Sequence, residues 1–193
     1  METNEKEFNE QESLTVILNM INAVKAGFYD NSFYFLLWGW LVFIASITNY
    51  VLLVTGQPNA EIAWMLMPLG GIVTAIYSYR QKKQQRVKTY VDEFMKYVVT
   101  AFLVSMLIVL FSMQKLGPNT YPMLLLVYGI WLYISGGTIK FKPLMAGGII
   151  NWAFAVGSMF VDFKMQLLFL AMAVLLGYII PGHLLNRKYN QHV

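Results

Sequence analysis

Phe33-Tyr-Phe-Leu-Leu-Trp-Gly-Trp-Leu-Val-Phe-Ile-Ala-Ser-Ile-Thr-Asn-Tyr-Val-Leu-Leu-Val54 contains no Asp, Glu, Lys, Arg or His. About 20 consecutive apolar residues, wound as an α-helix, cover the roughly 30 Å of hydrocarbon in a bilayer. This stretch meets that length, so it reads as a membrane-crossing helix rather than as the core helix of a soluble domain. Five further runs have the same character: Ile62 to Tyr79, Tyr97 to Met113, Tyr121 to Ile139, Leu144 to Val161 and Met165 to Ile180. None carries an ionisable residue in its interior. The breaks between them use turn chemistry, as in Gly56-Gln57-Pro58-Asn59, Gly117-Pro118-Asn119, Lys140-Phe141-Lys142-Pro143 and Asp162-Phe163-Lys164. The last two breaks are so short that spans 4, 5 and 6 must be antiparallel neighbours. A transmembrane barrel shows short alternating segments instead of continuous apolar runs, so strands are not expected.

Composition agrees. Of the 193 residues 58% are hydrophobic, 16% aromatic and only 12% charged, with a mean hydropathy of +0.53. Soluble domains carry about twice that share of charge. With no cysteine, disulfide scaffolds, thiolate nucleophiles and Cys-ligated metal centres are excluded. The expected fold is therefore all-α: a polytopic integral membrane protein with a six-helix bundle over residues 33–181 (33–54, 62–79, 97–113, 121–139, 144–161 and 165–180). A cytoplasmic N-terminal segment, 1–32, precedes it and a cytoplasmic tail, 182–193, follows.

Basic residues orient the bundle. Cytoplasmic loops are enriched in Lys and Arg. With the N-terminus inside, 12 of the 14 lysines and arginines fall on the cytoplasmic side and only Lys115 and Lys164 outside. Tyr79 then marks the inner interface, with Phe28 and Tyr29, while Tyr50, Trp64, Tyr121 and Phe163 mark the outer one. The first 32 residues have no signal-peptide pattern, and span 1 itself is expected to direct insertion.

Within the N-terminal segment Leu14, Ile17, Leu18, Ile21, Val24 and Phe28 recur at helical spacing, which predicts an amphipathic helix. Its acidic lead, Glu2 to Glu12, argues against attraction to anionic lipid. The helix lies on the membrane or under the bundle, or else docks a second copy or a soluble partner. The basic run Arg80 to Lys88 lacks an aromatic platform and a recognised binding fold, so it reads as positive-inside anchoring rather than a nucleic-acid site. Val87, Val91, Phe94 and Val98 continue the helical spacing, so helix 3 is expected to begin in the cytoplasm.

Chemistry is sparse. Proton relays, voltage sensors and intramembrane metal hydrolases need ionisable groups at depth, and these spans have none. His183 and His192 lack the companions of a metal site, and His183 reads as an interfacial residue just past a helix end. No nucleophile elbow or phosphate-binding glycine loop is present. No catalytic residue, metal or cofactor is expected, and no enzyme activity.

Small and polar residues remain. Gly147, Asn151, Ala155 and Ser158 share one face of span 5. Gly70, Thr74 and Ser78 recur once per turn in span 2. Span 1 offers Gly39, Ser46 and Asn49, and span 4 offers Gly129, Tyr133 and Gly137. Such faces let helices approach closely and exchange hydrogen bonds, within one bundle or between copies in a homo-oligomer. The candidate ligand-binding residues are Asn151, near mid-depth and costly unless partnered, with Trp152, Trp131, Tyr128, Asn49 and Thr74. Trp38-Gly39-Trp40 against Tyr128-Gly129-Ile130-Trp131, and Pro68 to Val73 against Pro143 to Ile150, suggest an inverted three-plus-three repeat of the kind found in secondary transporters. The repeat is weak, because the spacings differ between the halves.

Glu12-Ser13-Leu14 through Met20-Ile21-Asn22-Ala23-Val24-Lys25, Leu36-Leu37-Trp38-Gly39-Trp40 and Tyr178-Ile179-Ile180-Pro181-Gly182-His183-Leu184-Leu185 together resemble an uncharacterised family of small bacterial multi-pass inner-membrane proteins. The resemblance implies a bacterial inner membrane and supplies no activity. Two functions follow as expectations: a small carrier of an uncharged or amphipathic molecule, or a regulatory or scaffold protein acting through the N-terminal helix.

Overall fold

The computed structural model describes residues 15, 32–82 and 90–190, and these are helices joined by short turns, with no strand among them. The amphipathic N-terminal helix and most of the basic run lie outside the described residues. The helices are α1 (Ser32–Val54), α2 (Leu66–Lys82), α3 (Tyr90–Phe111), α4 (Thr120–Thr138), α5 (Lys142–Ser158), α6 (Phe163–Val174) and α7 (Ile180–Asn190). Four stretches are long and apolar enough to cross a membrane: Ser32–Val54, Ala60–Arg80, Glu93–Phe111 and Phe163–Lys188. α4 and α5, at 19 and 17 residues, are shorter or richer in small and polar residues.

Two helix ends differ from the expected boundaries in an informative way. Span 2 opens as a 3₁₀ segment, Ala60–Met65, and the α-helix proper starts at Leu66. Pro68 thus sits in a first turn, where its missing N–H costs nothing. α3 is described from Tyr90, and the Val87 end of its expected spacing lies outside the described residues. The last span does not stop at Ile180. It widens into a π turn, Leu175–Ile179, and continues as α7 to Asn190, so His183, expected past a helix end, lies inside a helix. The cause is Pro181, which has no N–H to donate to the Gly177 carbonyl and whose ring would crowd it. Widening the preceding turn accommodates both effects.

The core consists of α1, α4, α5 and the α6–π–α7 rod, with α4 and α5 the most extensively packed pair. α2 lies against α1, and α3 against α4. Both flanking helices turn large apolar side chains outward, including Leu69, Ile72 and Ile76 on α2 and Leu103, Leu107 and Ile108 on α3, each more than half exposed. Contiguous apolar exposure on this scale is foreign to a water-soluble monomer. The two halves pack differently. α5 rests on both α4 and α6, whereas α2 makes no extended contact with α3 among the described residues, which does not favour the inverted repeat.

Close approach follows the small residues. A Cβ on Gly147 would stand 2.6 Å from the Gly177 carbonyl oxygen, and one on Gly136 would stand 2.6 Å from the Met145 nitrogen. Along α1 and α2 the fit is a three-rung ladder: Leu41 over Gly70, Trp38 Nε1 donating to Thr74 Oγ1 at 3.1 Å, and the Tyr34 and Ser78 hydroxyls hydrogen-bonded at 2.9 Å. α4 ends in a Schellman motif. Lys140 holds φ 53°, its N–H bonds the Gly137 carbonyl at 3.2 Å, and the Phe141 N–H bonds the Gly136 carbonyl at 2.8 Å.

Ring contacts gather each end of the bundle. Trp64 stacks on Tyr121 at 6.2 Å, and Tyr121 meets Phe163 at 5.3 Å, so three of the aromatics assigned to one interface form a single cluster. At the other end Lys188 Nζ lies 5.7 Å from the centroid of the Phe141 ring, joining the end of α7 to the α4–α5 turn with its Lys140 and Lys142.

Candidate functional site

Tyr178, delivered by the π turn, closes a ring of aromatic side chains. It meets Phe35 of α1 at 6.2 Å and Tyr128 of α4 at 5.6 Å, edge to face. Tyr128 continues to Phe102 of α3 at 6.3 Å, Phe102 to Trp131 of α4 at 5.0 Å, and Trp131 back to Phe35 at 6.4 Å. Four elements thus contribute five rings. Phe35, Tyr128 and Tyr178 are buried, while Phe102 and Trp131 are half-buried. Among the described residues no hydrogen bond engages the hydroxyl of Tyr128 or of Tyr178. A buried phenol normally finds a partner, so two open hydroxyls in an aromatic setting can accept from, and donate to, a guest.

The opposite side of the π turn faces Asn151. Its Nδ2 donates to the Gly147 carbonyl at 2.8 Å and to the Ala173 carbonyl at 3.3 Å, tying α5 to α6. Asn151 is fully buried, and its Oδ1 has no donor among the described residues. Gly177 packs against Asn151, Gly147 and Leu132 together. Ser135, one turn from Leu132 on α4, also buries a hydroxyl with no partner. The π turn is gripped from the other direction by α1, where Gly39 abuts Ile179 and Tyr178.

The six residues singled out from sequence therefore separate. Tyr128 and Trp131 join the ring cluster, and Asn151 lies across the π turn from it. Thr74 is engaged by Trp38 between α1 and α2. Trp152 belongs to the α4–α5 seam, where its Nε1 donates to the Leu126 carbonyl at 3.2 Å and its ring tilts over Tyr133 at 5.3 Å. Asn49 is buried on the core side of α1. The face Gly147, Asn151, Ala155 and Ser158 is the buried face of α5, and of the span 4 set Gly129 is buried while Tyr133 and Gly137 are exposed.

Sequence reasoning missed Phe35, Phe102, Tyr178 and Gln166. Gln166 is buried, and its Nε2 donates to the Ser158 carbonyl at 3.0 Å, satisfying one of the carbonyls left open at the end of α5. The available signal for Tyr178 was its place three residues before Pro181. No three His, Cys, Asp or Glu side chains come together among the described residues. Comparison with family models, with curated proteins and with solved structures gives no match.

Proposed function

We propose that the chain crosses a bacterial inner membrane six times with both ends cytoplasmic, and carries an uncharged or amphipathic small molecule that it binds, without chemical change, at the Tyr128–Tyr178 ring cluster. The membrane reading is supported by the apolar faces that α2 and α3 turn outward. The orientation is supported by Lys140, Lys142, Arg187 and Lys188 at one end of the bundle against Lys115 and Lys164 at the other. The bacterial setting comes from the family resemblance.

One observation carries the ligand reading: two buried tyrosine residues whose hydroxyls have no hydrogen-bond partner among the described residues, set in a five-ring wall beside a π turn. π turns interrupt the regular hydrogen-bond ladder and are frequent at functional sites. Aromatic walls favour flat or chain-like apolar groups, and the phenols fix one polar end. Without an ionisable group in the wall, charged cargo has no counter-charge there.

Titration of the purified chain with N-phenyl-1-naphthylamine, an uncharged amphipathic dye, tests this reading through energy transfer from tryptophan. Saturable transfer that falls in Trp131→Phe and weakens at least threefold in Tyr178→Phe supports it. Non-saturating partition, identical in the wild type and both variants, refutes it.

A further inference from the structure

The outer end of the bundle holds a cleft remote from the Tyr178 cluster. It is an open cleft of about 370 Å³ between the turn that follows α3 and the start of α6. Its wall is mostly apolar: the Tyr121 and Phe163 rings, inclined at 41°, with Met113 and Gly117 beside them. Gln114 and Thr120 add polar edges, although the Thr120 hydroxyl already donates to the Gly117 carbonyl at 2.8 Å.

Charged residues neighbour the lining. Lys115 follows Gln114 in the chain and Lys164 follows Phe163. Both are exposed, and neither pairs with a carboxylate among the described residues. Asp162 precedes Phe163. Glu61 stands in the 3₁₀ segment whose Trp64 stacks on Tyr121. Two cations and two carboxylates therefore neighbour the lining of an apolar cleft, three of them along the chain and Glu61 through the Trp64–Tyr121 stack, with no net charge between them.

We propose that this cleft binds a phospholipid whose headgroup carries both a phosphate and an ammonium. Lys115 and Lys164 suit the phosphate. Glu61 and Asp162 suit the ammonium, which Tyr121 and Phe163 also attract through their ring faces. The glycerol end of the acyl chains lies along the same two rings. A net anionic lipid leaves the two carboxylates opposed to it, and a free headgroup lacks the apolar anchor. The inference rests on the membrane reading above, since the cleft must meet a bilayer interface, and is independent of any guest at Tyr178.

Native mass spectrometry of the delipidated full chain tests it, with dioleoyl phosphatidylethanolamine, dioleoyl phosphatidylglycerol and free O-phosphoethanolamine as probes. The expected result is phosphatidylethanolamine retained at least fivefold more tightly than phosphatidylglycerol. That preference should vanish in Lys115→Ala/Lys164→Ala, whose exposed sites spare the fold, and free O-phosphoethanolamine should not bind. Equal retention of the two lipids, equal retention by the wild type and double variant, or tight binding of the free headgroup overturns the proposal. Labelling of Lys115→Cys from outside intact cells separates the two readings: lost lipid preference with normal outside labelling removes the cleft site alone.

Discussion

Tyr128 and Tyr178 meet edge to face with ring centroids 5.6 Å apart and planes at 71°, and among the described residues no hydrogen bond engages either hydroxyl. The contact exists because Pro181 forces the turn before it to widen, which rotates Tyr178 relative to a regular α-helix. A prolyl feature at the end of one span thus sets the geometry of a cluster that draws on three other helices.

A hydroxyl without a partner contributes nothing to folding that its removal would forfeit. Tyr178→Phe and Tyr128→Phe are therefore expected to leave unfolding in detergent unchanged or shifted upward by up to about 1 kcal/mol, while dye affinity falls. Thermal unfolding and dye titration on the same preparations check this. A large loss of stability would show that the hydroxyls are structural.

Gly177 and Gly71 make a matched pair. A Cβ at Gly177 would collide with Asn151 and stand 3.0 Å from the Gly147 carbonyl oxygen and 3.2 Å from Leu132 Cδ1, whereas nothing lies within 4 Å of one at Gly71. Overpacking costs about 1–3 kcal/mol, so Gly177→Ala destabilises by that amount, and Gly71→Ala is neutral or slightly stabilising through its better helix propensity. Denaturant titration of both variants reads the difference directly.

The two buried amides join helices. Asn151→Leu removes the one link from α5 to α6, at the Ala173 carbonyl, together with a bond inside α5, and its expected cost is about 1–2 kcal/mol, the range for interhelical hydrogen bonds in membranes. Gln166→Leu leaves the Ser158 carbonyl open at a buried helix end, for about 1–3 kcal/mol. The double variant is expected to be close to additive, because the amides hold different parts of the α5–α6 pair. Steric trapping or denaturant unfolding of the three variants measures these values.

Lys140 pays for the Schellman turn with a left-handed backbone that disfavours a side chain, by about 1–2 kcal/mol. Lys140→Gly is therefore expected to stabilise the α4–α5 hairpin by roughly 1 kcal/mol. Calorimetry checks the sign, and destabilisation would indicate that the lysine side chain contributes more than the backbone strain removes.

Much of this architecture was legible because apolar length and turn chemistry act locally. The breaks at Gly117 and Lys140 and the buried stripe on α5 needed only spacing and residue size. The ladder from Gly70 through Thr74 to Ser78 was readable on one helix, but its partners on α1 were not, since nothing in α2 names Trp38 or Tyr34. The ring cluster was harder still. Phe35, Phe102 and Tyr178 are ordinary aromatics among many, and they converge only through a π turn that follows from Pro181. Asn151 was found because an amide at depth is costly, yet spacing alone did not say that two backbone carbonyls would take its donors.

The central claim is that the apolar segments cross the membrane six times with the lysine-rich turns on one side. The natural absence of cysteine makes single-cysteine accessibility the most direct test. Lys115→Cys and Lys164→Cys should react with a membrane-impermeant maleimide in intact cells, and Lys140→Cys and Arg187→Cys only after the membrane is opened. Reaction of Lys115→Cys and Lys140→Cys from the same side would contradict the account.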